Sequence, residues 1–122
     1  KNVVDKYDFD NFLKGWFALE MQQKQYTLIF DTTTVGKINP KYAFRLVSYI
    51  KQLKKLKQIY LTQSIIIVNY KWIRYLLDLV FAFEKPVAPI YIVDNHETSK
   101  ILYQKLKNKE EITLKNITMV YP

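Results

Sequence analysis

The chain contains no cysteine, which removes disulfide staples, thiolate metal sites and thiol nucleophiles from consideration. Two glycines and four prolines in 122 residues lie well below average usage of about 7% and 5%. So few backbone breakers predict regular elements joined by short connections. Gly15 and Gly36, the only glycines, exclude a glycine-rich phosphate loop. Only two of the 19 basic residues are arginine, which argues against base-specific readout of nucleic acid. No apolar run approaches the roughly eighteen residues of a transmembrane segment, and nothing resembles a signal peptide. The expected setting is intracellular and cytoplasmic, with no cofactor implied.

What is present favours a folded domain. Hydrophobic residues make up 49% of the chain, with seven Phe, ten Tyr and two Trp, enough for a core in a single domain over 1–122. The net charge of +8 attracts nucleic acid, anionic membranes or acidic proteins, and it equally serves solubility. A start at Lys1, with only Val3 and Val4 before the first helical pattern, is expected of a chain that lacks an upstream strand.

The spacing of Phe9, Phe12, Leu13, Trp16, Phe17 and Glu20 or Met21 predicts an amphipathic helix over 8–23, capped by Asp8 or Asp10. Gly15 inside it is expected to mark a close approach to a sheet. Residues 26–30 lack strict alternation, as in a strand covered on both faces, and end at Asp31. A loop follows through Thr32, Thr33, Thr34, Val35, Gly36, Lys37 and Ile38, with Gly36 a candidate for positive φ. Asn39 is the expected cap, and Pro40 the first turn, of a helix over 40–55. Its C-terminal end gathers Lys51, Lys54, Lys55 and Lys57, which complement the helix dipole and also make a candidate anion-binding patch.

Residues 64–68 are the clearest buried strand, with Asn69 the expected cap of a nearly all-apolar helix over 70–83. Arg74 and Asp78 are spaced for an ion pair on that helix. Residues 87–93 form another strand, with Pro89 at its start or at an unpaired position. A short helix follows over 98–106, capped by Thr98 or Ser99, and 112–121 reads as an edge strand. Strand and helix alternate, which predicts a three-layer α/β domain with a four- or five-stranded, mostly parallel or mixed sheet and right-handed crossovers. Asn116, Ile117 and Thr118 spell a glycosylation sequon that is treated as chance.

The strand ending in Asp31, the turn hydrophobics Val35 and Ile38, and the helix start at Asn39, Pro40, Lys41 and Tyr42 resemble the corresponding section of STAS domains, found in bacterial anti-sigma-factor antagonists and sulfate-transporter tails. The strand, Asn and helix section from Leu61 to Arg74, with Lys85 and Pro86 before the next strand, resembles both STAS and CRAL-TRIO lipid-binding domains. The resemblance covers roughly residues 8–106 and rests mainly on hydrophobic pattern. It implies a non-enzymatic interaction or scaffolding module. Pro40 and Lys41 stand where switching STAS members carry the phosphorylated serine, so a phospho-switch is not implied. A chain this short, without the additional helical and gate regions of CRAL-TRIO proteins, is expected to have little room for a lipid tail.

The residue-level candidates follow. A protein partner is expected at Thr32, Thr33, Lys37, Lys41 and Tyr42, and apolar residues on helix 70–83 are a second surface, for self-association into a homo-oligomer. The rival reading engages nonspecific nucleic acid or acidic lipid through Lys51, Lys54, Lys55 and Lys57. An enzyme would require Asp31, Asp94 and His96 to converge in a pocket; no catalytic residue or metal ligand is assigned.

Overall fold

The computed structural model describes residues 3–113 and 116–122. Its helices and strands alternate, as the hydrophobic pattern predicts. Helix α1 (Lys6–Met21) precedes β2 (Tyr26–Asp31), and α2 (Lys41–Leu53) leads to β4 (Leu61–Ile67). Then come α3 (Lys71–Phe83), β5 (Ile90–Val93), α4 (His96–Lys107) and β6 (Thr118–Val120). Two short strands, β1 (Val3–Val4) and β3 (Lys37–Ile38), pair parallel in a separate ladder that the sequence pattern does not announce.

The main sheet has the order β2-β4-β5-β6, with the first three strands parallel and β6 antiparallel to β5. It is therefore mixed and mostly parallel, and its two edges are β2 and β6. Alternation along β4 divides the core. Ile66 faces the layer formed by α1, α2 and α3, whereas Ile65 and Ile67 face α4. Beneath the three-helix layer, Val47, Ile50, Ile73 and Val80 close over Ile66 and Ile92. On the opposite face, Leu102 of α4 meets Ile65, Tyr91 and Val93. The crossovers through α2 and α3 lie on one face and α4 on the other, so the connections leaving β4 and β5 diverge at the C-terminal edge of the sheet.

Helix ends differ from expectation in instructive ways. Asp5, not Asp8 or Asp10, caps α1: its carboxylate accepts from the Asp8 N–H at 2.9 Å and Asp8 reciprocates at 3.1 Å. At α2 the N-cap is Pro40, without a side-chain cap bond, rather than Asn39, which stands one residue earlier and accepts the Lys41 N–H at 3.0 Å. The N-cap of α3 is Tyr70 rather than Asn69, without a side-chain cap bond, and Asn95 replaces Thr98 or Ser99 at α4 by accepting from the Thr98 N–H at 2.7 Å. In each capped case the oxygen stands just before the first turn, where the helix N–H groups have no carbonyl partner.

The glycine expectations are corrected. Among the described residues positive φ occurs at Gln23, Lys109 and Asn116 and at no glycine, so Gly36 turns in the ordinary region. A Cβ added at Gly15 would meet nothing within 4 Å, so that glycine marks open solvent and not an approach to the sheet. The C-terminal strand is only three residues long, against the 112–121 expected; Leu114 and Lys115, within that expectation, and Lys1 lie outside the described residues.

Candidate functional site

The polar candidates gather at the C-terminal edge of β2. His96 Nε2 lies 2.6 Å from Asp31 Oδ2, joining the start of α4 to the end of β2. Asp31 Oδ1 accepts from both the N–H and the hydroxyl of Thr33, at 2.9 and 2.6 Å. The Thr33 hydroxyl and then His96 stabilise the ionised carboxylate, holding its pKa down at about 2. Asp94 does not join them; its Oδ1 accepts from the Asn95 amide at 2.6 Å. The sequence therefore brought two of the three enzyme candidates together, on an exposed rim.

Among the described residues no group of three or more His, Cys, Asp or Glu is arranged to hold a metal ion, and no helix is long and apolar enough to cross a membrane. At the divergence of β4 and β5, an open cleft of about 540 Å³ carries Asn69, Lys71, Arg74, Asp94 and Asn95 on its walls. Arg74 is already engaged by Asp78 at 3.2 Å, as the spacing predicts.

The five loop candidates separate. Thr32 donates its hydroxyl to the Ile67 carbonyl at 2.6 Å, and Thr33 is held by Asp31. Tyr42 is buried, only 6% exposed, with its ring stacked on Phe9 at 4.8 Å. Exposed members of the set are Lys37 and Lys41, the latter with its ammonium 5.6 Å from the Tyr42 ring centre. In the lysine patch, Lys54 pairs with Glu84 at 2.9 Å, while Lys51, Lys55 and Lys57 stand exposed. On α3, Tyr75 and Phe83 are the exposed large apolar residues.

A second, apolar space is one that residue types did not announce. Between the three-helix layer and the sheet lies a cavity of about 330 Å³. One end meets Asp31, Thr32, Val35 and Ile38; the other reaches Leu61, Pro86, Val87 and Ala88. It therefore follows the length of the seven-residue strand β4, roughly 20 Å. Aromatic rings of Phe9, Phe12, Trp16, Phe30 and Tyr42 line it from α1, β2 and α2. Three small residues, Ala43, Ser64 and Ala88, are among its lining. Polar lining is sparse and concentrated at the β2 end, in Asp8, Asp31 and Thr32, with buried Ser64 the exception in the interior.

The loop singled out in sequence thus forms the cavity's rim. Its Val35, Ile38 and Tyr42 side chains are wall, not partner-facing surface. Room for an apolar tail exists despite the chain's length, because the helical layer closes over the sheet from three helices. The sequence signal that points to it is the conjunction of bulky aromatics with alanine and serine on facing core positions, which periodicity alone reads as ordinary packing.

Behind the cavity a buried polar network ties α1 to the sheet. The Trp16 indole N–H donates to Tyr26 Oη at 3.0 Å, and the Tyr26 hydroxyl donates to Glu20 Oε1 at 2.7 Å. The Tyr60 N–H donates to Glu20 Oε2 at 2.8 Å. Burial first, and then the Glu20 carboxylate, push the Tyr26 hydroxyl far above its ordinary pKa. Tyr49 is raised in the same way, and its buried hydroxyl has no hydrogen-bond partner.

No protein-family model, curated protein or solved structure matches the chain. What the structure shows by itself is a small α/β domain with a mixed sheet between helical layers.

Proposed function

We propose that this chain is a non-enzymatic binding domain that receives an extended, single-chain apolar ligand, such as a fatty acid, in the cavity between α1–α3 and the sheet. The observation that carries the reading is the cavity itself: about 330 Å³, lined almost wholly by apolar side chains. Engineered apolar cavities of about 150 Å³ already bind benzene, and ligand sites typically span about 300–1,000 Å³. Well-packed interiors keep few voids larger than a water molecule, so an unfilled space of this size forfeits dispersion contacts that an apolar ligand would restore. The polar lining at the β2 end includes the carboxylates of Asp8 and Asp31, which oppose an anionic head inside the cavity. In this reading a ligand carboxylate sits outside them at the rim, where Lys37 and Lys41 flank the lining residues Ile38 and Tyr42 and supply positive charge.

In this reading the architecture is a divergent form of the STAS and CRAL-TRIO arrangement. The support is the strand and helix order together with the placement of loop 31–42 at the cavity's mouth. A protein partner at that loop is compatible with the same reading through Lys37 and Lys41.

The test is a titration with a polarity-sensitive fluorescent probe, displaced by a series of straight-chain fatty acids. Saturable binding that tightens with chain length and weakens by at least about tenfold in Ala43→Phe supports the cavity. Binding absent in the native chain, or unchanged by Ala43→Phe, rejects it.

The exposure of Lys51, Lys55 and Lys57 together at the end of α2 favours one accessory reading, contact with an acidic lipid surface. Cosedimentation with anionic vesicles should then fall steeply with salt and disappear when all three are changed to Gln.

A further inference from the structure

Among the described residues, strand β2 forms one edge of the main sheet and pairs with β4 alone. The N–H groups of Tyr26 and Thr32 donate to Tyr60 and Ile67, so the even-numbered residues of β2 turn their backbone groups towards β4. By alternation, the N–H and C=O groups of Thr27, Ile29 and Asp31 point outwards, along an unpaired edge. Edge strands are usually guarded by proline, lysine, brevity or a bulge. The six residues of β2 include no proline and no lysine, and the one register shift, between Tyr26 and Thr27, leaves 27–31 regular. The opposite edge, β6, is three residues long and is followed within two residues by Pro122.

We propose that the chain pairs with a second copy of itself along β2, antiparallel and across a twofold axis at Ile29, to make one continuous sheet. This inference goes beyond the ligand reading and does not depend on it. Ile29 is 47% exposed, on the face of β2 that α4 leaves uncovered. Centred there, the pairing sets each Ile29 against its twin. It matches outward-pointing residues with outward-pointing residues, giving about six new backbone hydrogen bonds.

The register selects a second copy, because the twofold axis at Ile29 matches the edge to itself. Each chain carries a net charge of +8, which opposes association, but β2 has no lysine or arginine, so the strands meet without directly opposed cations. The one ionised side chain on the edge, Asp31, falls opposite Thr27 of the second copy. Thr27 Oγ1 already accepts from the Gln63 amide, which leaves its own O–H to donate to that carboxylate. The two Asp31 groups end up about 13 Å apart along the strands, beyond the screening length of about 8 Å. Above the edge, α1 forms the flank of the helical layer, packing on Trp16 and Leu28 contacts below and on α2 beside it. Phe17 and Met21, one turn apart on α1, are exposed.

Sedimentation equilibrium of the native chain across a concentration series, repeated on Ile29→Lys, tests the pairing. The expected result is a reversible dimer whose dissociation constant rises at least about tenfold in Ile29→Lys, where two cations would meet at the axis. Because the chain has no cysteine, Ile29→Cys gives a second readout independent of any loss of folding in Ile29→Lys. Directly opposed strand residues sit about 5.5 Å apart at Cα, within disulfide reach, so this variant should cross-link on oxidation while the exposed control Tyr75→Cys does not. A native chain that stays monomeric, a dimer indifferent to Ile29→Lys, or equal cross-linking by both cysteine variants would overturn the proposal; the last two would place the contact with another surface.

Discussion

Asp31 owes its acidity to three contacts made within a few ångströms of the sheet edge: the hydroxyl and N–H of Thr33, and His96. Its folded-state pKa, about 2, lies below the ordinary 3.8. The ionised form therefore contributes stability that is fully present above pH 3.8 and is lost as pH falls from there through about 2. Because the side chain is exposed on the rim, solvent screening keeps the effect below about 1 kcal/mol. Thermal melts should show Asp31→Asn less stable than the native chain at pH 6, with the difference shrinking as pH falls from 3.8 and vanishing below about 2. The buried network predicts a larger effect. Tyr26→Phe strands the Trp16 N–H and one Glu20 oxygen in the interior, and urea unfolding should show a loss of about 1–3 kcal/mol. Glu20 also shows what a stripe of helical spacing conceals. It shares that stripe with aromatics and is 1% exposed, while Phe17 and Met21, equally plausible by spacing, face solvent. Period locates a face; only partners such as Tyr26 and the Tyr60 N–H, brought from distant sequence, decide which side chain at its margin turns inwards.

Helices and strands carry their own predictions. In α1, Gly15 has an exposed, ordinary helical position with open space around a would-be Cβ. Gly15→Ala should therefore raise stability by about 0.5–1 kcal/mol, read as an upward shift in melting temperature. In α2, Ala43 is buried and lines the cavity. Ala43→Phe should occupy part of that space, abolish most probe binding and leave the melting temperature undiminished; a well-packed site would instead be destabilised by about 1–3 kcal/mol. Long elements such as β4 and α3 were legible because continuous apolar runs and helical periodicity each extend over many residues. The β1–β3 ladder was not, since two-residue strands carry no period. Cap residues shifted by a few positions because several Asp, Asn and Thr near each helix start satisfy the same preference, and the backbone geometry selects among them.

At the scale of the whole molecule, a mixed, mostly parallel sheet of four or five strands follows from alternating units and short connections, but the strand order and the cavity do not. The cavity lies between two layers and is lined by residues from distant segments, the bulky Phe9, Phe12, Phe30 and Tyr42 together with the small Ala43, Ser64 and Ala88. No one-dimensional pattern encodes such a combination. For the same reason Tyr42, expected on a partner-facing surface with Lys37 and Lys41, turns instead into the cavity wall while the two lysines stay exposed. The central claim is that an apolar chain occupies this space, and β4 provides an internal ruler for it. Ile66 lines the cavity, whereas Ile65 and Ile67, its immediate neighbours, face α4. Methyl-resolved NMR of isoleucine-labelled protein titrated with a saturated fatty acid is the most direct measurement. The account predicts saturable shifts at Ile38, Ile66, Ile73 and Ile90, with Ile65 and Ile67 little changed. Shifts centred on Ile65, Ile67 or Ile29, or no saturable shift at all, would contradict it.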